Sequence, residues 1–290
     1  MKTNYALALA AIAVLTPFTG LAQDPDHSWF KTYPVTGKPT LTFETSDAGV
    51  EFRSCGDCHE IRIHVEVVGR KLGDFHLEEH QTGDEVHFLF KELPHLGGHG
   101  AWHKQQTRVT VESPSQLTLQ ARTSDGNVIL SGLQGDLGLT TGDGNLTVDH
   151  VSGNLRIKSG DGRVKITNAA GAIEARTSDG NLTVDGLFRA VALHTSDGSL
   201  DVTLREGTQL GEASTIQSSD GSVTLRVPQN FAADLNVHTG DGHVDCALPL
   251  TMDHFQSGEN PGHELRGKLN GGGTPLTVHT SDGNVKIESL

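Results

Sequence analysis

Thr141-Gly-Asp-Gly-Asn-Leu-Thr-Val148 and Thr177-Ser-Asp-Gly-Asn-Leu-Thr-Val184 are copies of one unit, and the distance between copies decides the fold. Its Asp falls at Asp125, Asp143, Asp161, Asp179 and Asp197, with the same spacing at every step. It returns at Asp220, Asp241 and Asp282, after longer and unequal intervals, the last more than double the period. A fixed period of this length is the mark of a repeat architecture.

Three and five residues after each Asp come Val128 and Leu130, Leu146 and Val148, Val164 and Ile166, Leu182 and Val184, Leu200 and Val202. Between them stand Ile129, Thr147, Lys165, Thr183 and Asp201, the alternation of a strand with one face inward. A second apolar pair follows at Leu137 and Leu139, Leu155 and Ile157, Ile173 and Ala175, Val191 and Leu193. One lone apolar position, Leu133, Val151, Ala169 and Leu187, separates the two strands. Gly135, Gly153 and Gly171 mark a second turn, which Arg189 breaks. Five inward side chains cannot offset the entropy of ordering the whole unit, so one unit must stack on others. The fold expected is all-β, a parallel β-solenoid with ~18-residue coils. The alternative is an antiparallel β-sandwich meander in which Asp-Gly closes hairpins. A meander has no need of a constant perimeter, which favours parallel stacking. In either case Asp is expected to cap the turn through its own backbone and Gly to supply a positive φ.

Working outward, Gly49–Arg53, Glu60–Val68, Glu85–Phe90 and Arg108–Glu112 all alternate as strands do. Thr45-Ser46-Asp47 is a degenerate first copy. These segments make residues 23–115 an N-terminal β cap and leave residues 116–290 as the repeat solenoid. An insertion at about 247–275, Gly-, Asn- and Pro-rich from Gln256 to Pro275, reads as a loop. Lys2, the apolar run Tyr5–Val14 and Gly20-Leu21-Ala22 read as a signal peptide over residues 1–22, which places the protein outside the cytoplasm. No later segment has the apolar length of a membrane span.

The formal charge is −14, and −15 once Lys2 is cleaved away. That charge argues against nucleic acid and anionic lipid as partners. Aromatic residues make up 5% of the chain, few for the core of an enzyme this size, whereas Gly numbers 35.

The Thr-Ser-Asp-Gly-Asn-Leu-Thr-Val units, with the closing run Leu265–Ile287, resemble the bacterial β-strand-repeat "putative adhesin" family, a domain of unknown function. The resemblance runs from about Val50 to the C-terminus. It implies an extracytoplasmic β-helix-like fold and a role in surface adhesion, and it supplies no catalytic residues. The stretch Ser54–His59 departs from the family pattern.

Several constellations are candidates for chemistry. In stacked coils Asp125, Asp143, Asp161, Asp179 and Asp197 form a column about 4.8 Å apart, a candidate calcium edge. Arg122, Thr140, Lys158, Arg176 and His194, each three residues earlier, form a column that could neutralise it across the turn. Cys55-Gly-Asp-Cys58-His59 spells a c-type haem attachment site. A Cys55–Cys58 disulfide suits an oxidising compartment better, and leaves Cys246 as the odd cysteine. His95, His99 and His103 are candidate metal ligands in a Gly-rich stretch, although no fixed metal motif surrounds them. Lys165, Arg156 and Glu174 are the charges that could sit together on an outer face, as in polysaccharide-cleaving β-helices.

Three functions follow in order of preference. The first is a non-catalytic binding or structural module of the cell envelope, with a carbohydrate or protein ligand and no cofactor. The second is a periplasmic metal- or haem-binding protein that uses the His/Cys-rich N-terminal half. The third is a polysaccharide-active enzyme.

Overall fold

The computed structural model describes residues 26–94, 106–252 and 262–290. The signal-peptide reading and His95, His99 and His103 lie outside the described residues.

Each repeat unit contributes to two ladders. In the first, Gln116–Thr123, Gln134–Thr141 and Ser152–Ser159 lie side by side, followed by the distal part of Val164–Thr177 and of Leu182–Thr195. In the second, Val128–Ser131 and Leu146–Asp149 are followed by the proximal part of the same two long strands and by Leu200–Leu204. These pairs are parallel, and the register is the sequence period: Leu137 faces Leu155, which faces Ile173. The Asp-Gly turns therefore pass from one ladder to the other and do not close hairpins, which removes the meander alternative for the repeats. The long strands join the ladders into one sheet around a single core. The inward pairs named from the period are all buried. Through the regular repeats the inward apolar side chains sit between apolar side chains of the coils above and below, which is how short strands with few aromatics fill a core.

The pairing is mixed rather than uniformly parallel. Ser28–Pro34, Glu60–Val68 and Gln106–Ser113 pair antiparallel in the second ladder, and Phe75–Thr82 pairs antiparallel with Glu85–Glu92 in the first. Glu264–Leu269 pairs antiparallel with both Ala233–Thr239 and Leu250–Met252. The stretch read as a loop before Pro275 thus contains a strand. Its Gly271, Gly272 and Gly273 have φ of 89°, 86° and 158°, the turn into the last coil.

Both ends of the stack depart from sequence order. Pro275–Thr280 enters between Ser214–Ser218 and Ala233–Thr239. Val285–Ser289 likewise enters between Val223–Val227 and Val244–Cys246. At the other end, Thr40–Thr45 lies between Glu85–Glu92 and Gln116–Thr123, and Gly49–Ser54 between Gln106–Ser113 and Val128–Ser131. The long interval from Asp241 to Asp282 is the trace of this threading: in space Asp282 follows Asp220 and precedes Asp241.

The second turn carries one more correction. Gly135, Gly153 and Gly171 have positive φ, and an added Cβ at each would sit 2.1–2.3 Å from a neighbouring carbonyl oxygen. At the next coil the register slips, so that Gly171 faces Phe188 and Ala172 faces Ala190. Arg189 is the extra residue of a β-bulge. Phe188, not Leu187, takes the inward position, and Leu187 is 43% exposed.

Candidate functional site: the Asp-Gly edge

The turn between the ladders is built by a hydroxyl. Two residues before each Asp stands Thr45, Thr123, Thr141, Ser159, Thr177, Thr195, Ser218, Thr280 or Thr239, and all but Thr123 are buried. Thr195 Oγ1 accepts from the Gly198 N–H of its own turn at 3.2 Å and donates to the Ser178 carbonyl of the preceding coil at 3.1 Å. Ser218, Thr280 and Thr239 do the same with Gly221, Gly283 and Gly242. One hydroxyl therefore closes its turn and ties it to its neighbour. Thr195→Val keeps the shape but leaves an N–H and a carbonyl unsatisfied in a buried place, and is expected to cost about 1–3 kcal/mol in denaturant melts. A midpoint equal to wild type would assign the turn to something else.

The Asp side chains are exposed and make no hydrogen bond with one another or with their own turn backbone among the described residues. The expectation that Asp caps the turn is therefore corrected; at Asp197, Asp220, Asp241 and Asp282 the buried hydroxyl already occupies an N–H of the turn. Gly126, Gly144, Gly162, Gly180 and Gly198 do not have positive φ either. They are needed because coils touch there. A Cβ on Gly162 would lie 2.1 Å from the Gly144 oxygen. On the second-ladder side of the turn an amide ladder continues the tie. The N–H of Asn145 donates to Asn127 Oδ1, that of Arg163 to Asn145 Oδ1 and that of Ser199 to Asn181 Oδ1.

The basic column does not neutralise the Asp column. Arg122 lies 4.0 Å from Glu44, and Arg176 pairs at 3.0 Å with Glu174, so these cations are engaged along their own ladder. Among the described residues no three His, Cys, Asp or Glu side chains converge to hold a metal ion. His238 and His279, cross-strand partners that stand three residues before Asp241 and Asp282, stack with ring centroids 5.3 Å apart. At the end of the Asp column, partial burial, then Asp125 and Glu92, raise the Asp47 carboxyl above the usual range, against the pull of Arg70.

Elsewhere the constellations separate. Arg156 and Glu174 are cross-strand neighbours in the first ladder, whereas Lys165 pairs with Thr147 and Thr183 in the second. The proposed three-charge cluster is split because the ladders face opposite ways. Cys55 and Cys58 are joined by a disulfide, with Cα atoms 5.8 Å apart, and the turn is tied to Ser113 and Ser115 by backbone hydrogen bonds. His59 is exposed beside it, and Cys246 is free and half-buried. With both sulfurs bonded to each other, the reduced alkaline pyridine spectrum of the protein is expected to lack the haem α-band; its appearance would reverse the assignment.

On the outer face of the first ladder, the small side chain of Ala192 leaves an open depression of about 400 Å³. Arg176, His194, Thr215 and Gln217 surround it. Sequence reading placed Arg176 and His194 in the column three residues before each Asp but missed the depression, which depends on one alanine among larger neighbours. No helix among the described residues is long and apolar enough to cross a membrane.

A family model described as Toastrack DUF4097 matches residues 40–288. The chain is similar to the crystal structure of a "putative adhesin" from Bacteroides fragilis NCTC 9343, with 12% identity, TM-score 0.43, and 91% of this chain and 97% of that one covered. It is also similar to one from Parabacteroides distasonis ATCC 8503, at 15% identity and TM-score 0.43, covering 91% of this chain and 98% of that one. A "putative cell adhesion protein" from Clostridium sporogenes ATCC 15579 matches at 9% identity and TM-score 0.29, over 91% of this chain and 100% of that one. No curated protein matches the chain.

Proposed function

The chain belongs to the Toastrack family, a bacterial adhesin-like domain of unknown function, and from that premise we propose that it is an exported, non-catalytic binding module of the cell envelope. Residues 1–22 are its leader, 23–115 its cap and 116–290 a β-solenoid of ~18-residue coils, parallel through the regular repeats. The depression over Ala192 carries this reading. It is shallow, open and ringed by a guanidinium, an imidazole, an amide and a hydroxyl. Such a surface suits a polar, extended ligand, a carbohydrate chain or a protein segment, whose many weak hydrogen bonds add along a rigid face. General acid–base chemistry needs titratable groups held around one reacting atom. Here the charges are spread along columns and paired with their neighbours.

The reading is tested by probing a glycan and matrix-protein array with the mature protein and with Ala192→Arg, which fills the depression. Binding by the first and a loss of at least tenfold by the second are expected. Equal binding by both would move the site elsewhere. New reducing ends or unsaturated products on the glycans would make the protein an enzyme.

A further inference from the structure

The formal charge of the chain is −14, yet cations gather on the middle of the first-ladder outer face. Two rows of side chains run across the coils there, one residue from each strand. The first row passes from Lys158 to Arg176, His194 and Gln217, which face one another in register. The second passes from Arg156 to Glu174, Ala192 and Thr215. Both rows belong to the middle coils, with further strands of the ladder on either side.

Three observations describe what the face accepts. First, Arg156, Lys158 and Arg176 have one carboxylate among them. Glu174 lies 3.9 Å from Arg156 and 3.0 Å from Arg176, and Lys158 has no ion pair among the described residues. Three cations less one carboxylate leave this group positive. Second, Glu174 is held by the arginines and is not in the wall of the depression, although Ala192 is its cross-strand partner. That wall offers Arg176, His194, Thr215 and Gln217, each able to donate a hydrogen bond, and no carboxylate. Its volume of about 400 Å³ is that of a small-ligand site, enough for a sugar ring. Third, Asp161, Asp179 and Asp197 stand exposed at the turns, three residues beyond Lys158, Arg176 and His194. They repel an anion, so one that settles on the cations is held along the row and does not cross the edge.

We propose that this row binds an acidic glycan, a chain whose sugars carry carboxylates, with one ring seated over Ala192 and its carboxylate on Arg176. The guanidinium meets Glu174 through Nη2, which leaves its other donors for the ligand. Lys158 supplies the charge for the next sugar along the row, and Thr215 and Gln217 serve ring hydroxyls. An acidic peptide fits less well. Extended, it presents the side chains of one face roughly 6.7 Å apart, whereas the cations repeat at the strand spacing of about 4.8 Å. This names the ligand class of the face over Ala192, and it rests on the binding-module reading.

The test is a calorimetric titration of the full mature protein with hexagalacturonate and, as the uncharged control, its full methyl ester. Hexagalacturonate is expected to bind about tenfold more tightly than the ester, and less tightly as salt is raised. Arg176→Gln is expected to weaken it about tenfold, whereas Glu174→Gln, which removes the competing carboxylate, is expected to tighten it about threefold. Ala192→Leu fills the depression without changing the charge and is expected to weaken hexagalacturonate as well. Hexaglutamate is expected to bind about tenfold more weakly than hexagalacturonate. Equal binding of acid and ester, wild-type affinity in Arg176→Gln or Ala192→Leu, or a loss in Glu174→Gln would each overturn the proposal. Hexaglutamate bound as tightly as hexagalacturonate would overturn the glycan in favour of an acidic protein segment. A protein that binds an uncharged glycan of the array and loses it in Ala192→Arg, yet ignores hexagalacturonate, keeps the face and loses the acidic ligand.

Discussion

Gly162→Ala is expected to lower stability by about 3 kcal/mol or more, although it adds one methyl group at a solvent-facing turn. The new Cβ would stand 2.1 Å from the Gly144 carbonyl oxygen, 2.6 Å from its carbon and 3.0 Å from the Asp143 oxygen. All three are backbone atoms of the coil below, so no rotamer can yield. Coils pack at the strand spacing of about 4.8 Å, and the core side chains beneath the turn fix that spacing. The turn must therefore lift and break the bond that the Gly160 N–H donates to the Gly142 carbonyl at 2.8 Å, or the ladders must part. For a chain of this size about 3 kcal/mol corresponds to a fall in melting temperature of roughly 6–12 °C. Gly211→Ala serves as the control, because nothing lies within 4 Å of its added Cβ and its φ is not in the positive region. That variant is expected to melt within about 2 °C of wild type. Equal melting temperatures for the two variants would mean that the coils are not in contact along the Gly column.

The same glycines mark where sequence reading reached its limit. The period located the turns and the inward pairs Leu146 and Val148 or Leu155 and Ile157, because alternation in a strand is a local property. The role of Gly162 was misassigned, because Asp-Gly has a familiar meaning in hairpins and a contact between coils is not local. Leu187 was misplaced for a related reason: the register slips just before it, so that Ala169 faces Gly186 and the frame recovers only at Arg189, and a one-residue shift exchanges inside for outside. The threading of the final coil left a trace in the long interval from Asp241 to Asp282, but an irregular interval reads equally well as an insertion. The depression over Ala192 was not legible, because Arg176, His194, Thr215 and Gln217 belong to three strands that meet only when the coils stack.

The threading makes deletion of Pro275–Leu290 the most disruptive truncation of the chain. In a solenoid whose coils follow sequence order, the last coil is a cap, and its loss trims one interface. Here the last coil is internal. Leu276, Val278, Val285 and Ile287 are at most 1% exposed. Removing four such side chains forfeits on the order of 6–12 kcal/mol of burial, a large part of the roughly 5–15 kcal/mol by which a domain is stable. Both neighbouring coils also lose ladder partners. The Gly240 N–H donates to the Thr280 carbonyl, and the Ser281 N–H to that of Ser219. The coil of Ala233–Thr239 and Val244–Cys246 would then stay attached to the stack only through the short connection after Val227, which includes the buried Phe231. We expect hydrogen exchange in residues 233–252 and 264–269 to rise to unfolded rates while residues 118–204 keep their protection, since neighbour contacts alone hold a coil in place. A synthetic peptide of residues 275–290, added in trans, is expected to restore protection, because the slot it fills has parallel edges on both sides. If the truncated protein instead kept residues 233–246 protected, the flanking coils would have closed directly on each other. The terminal coil would then be a dispensable wedge, not the piece that locks the end of the stack.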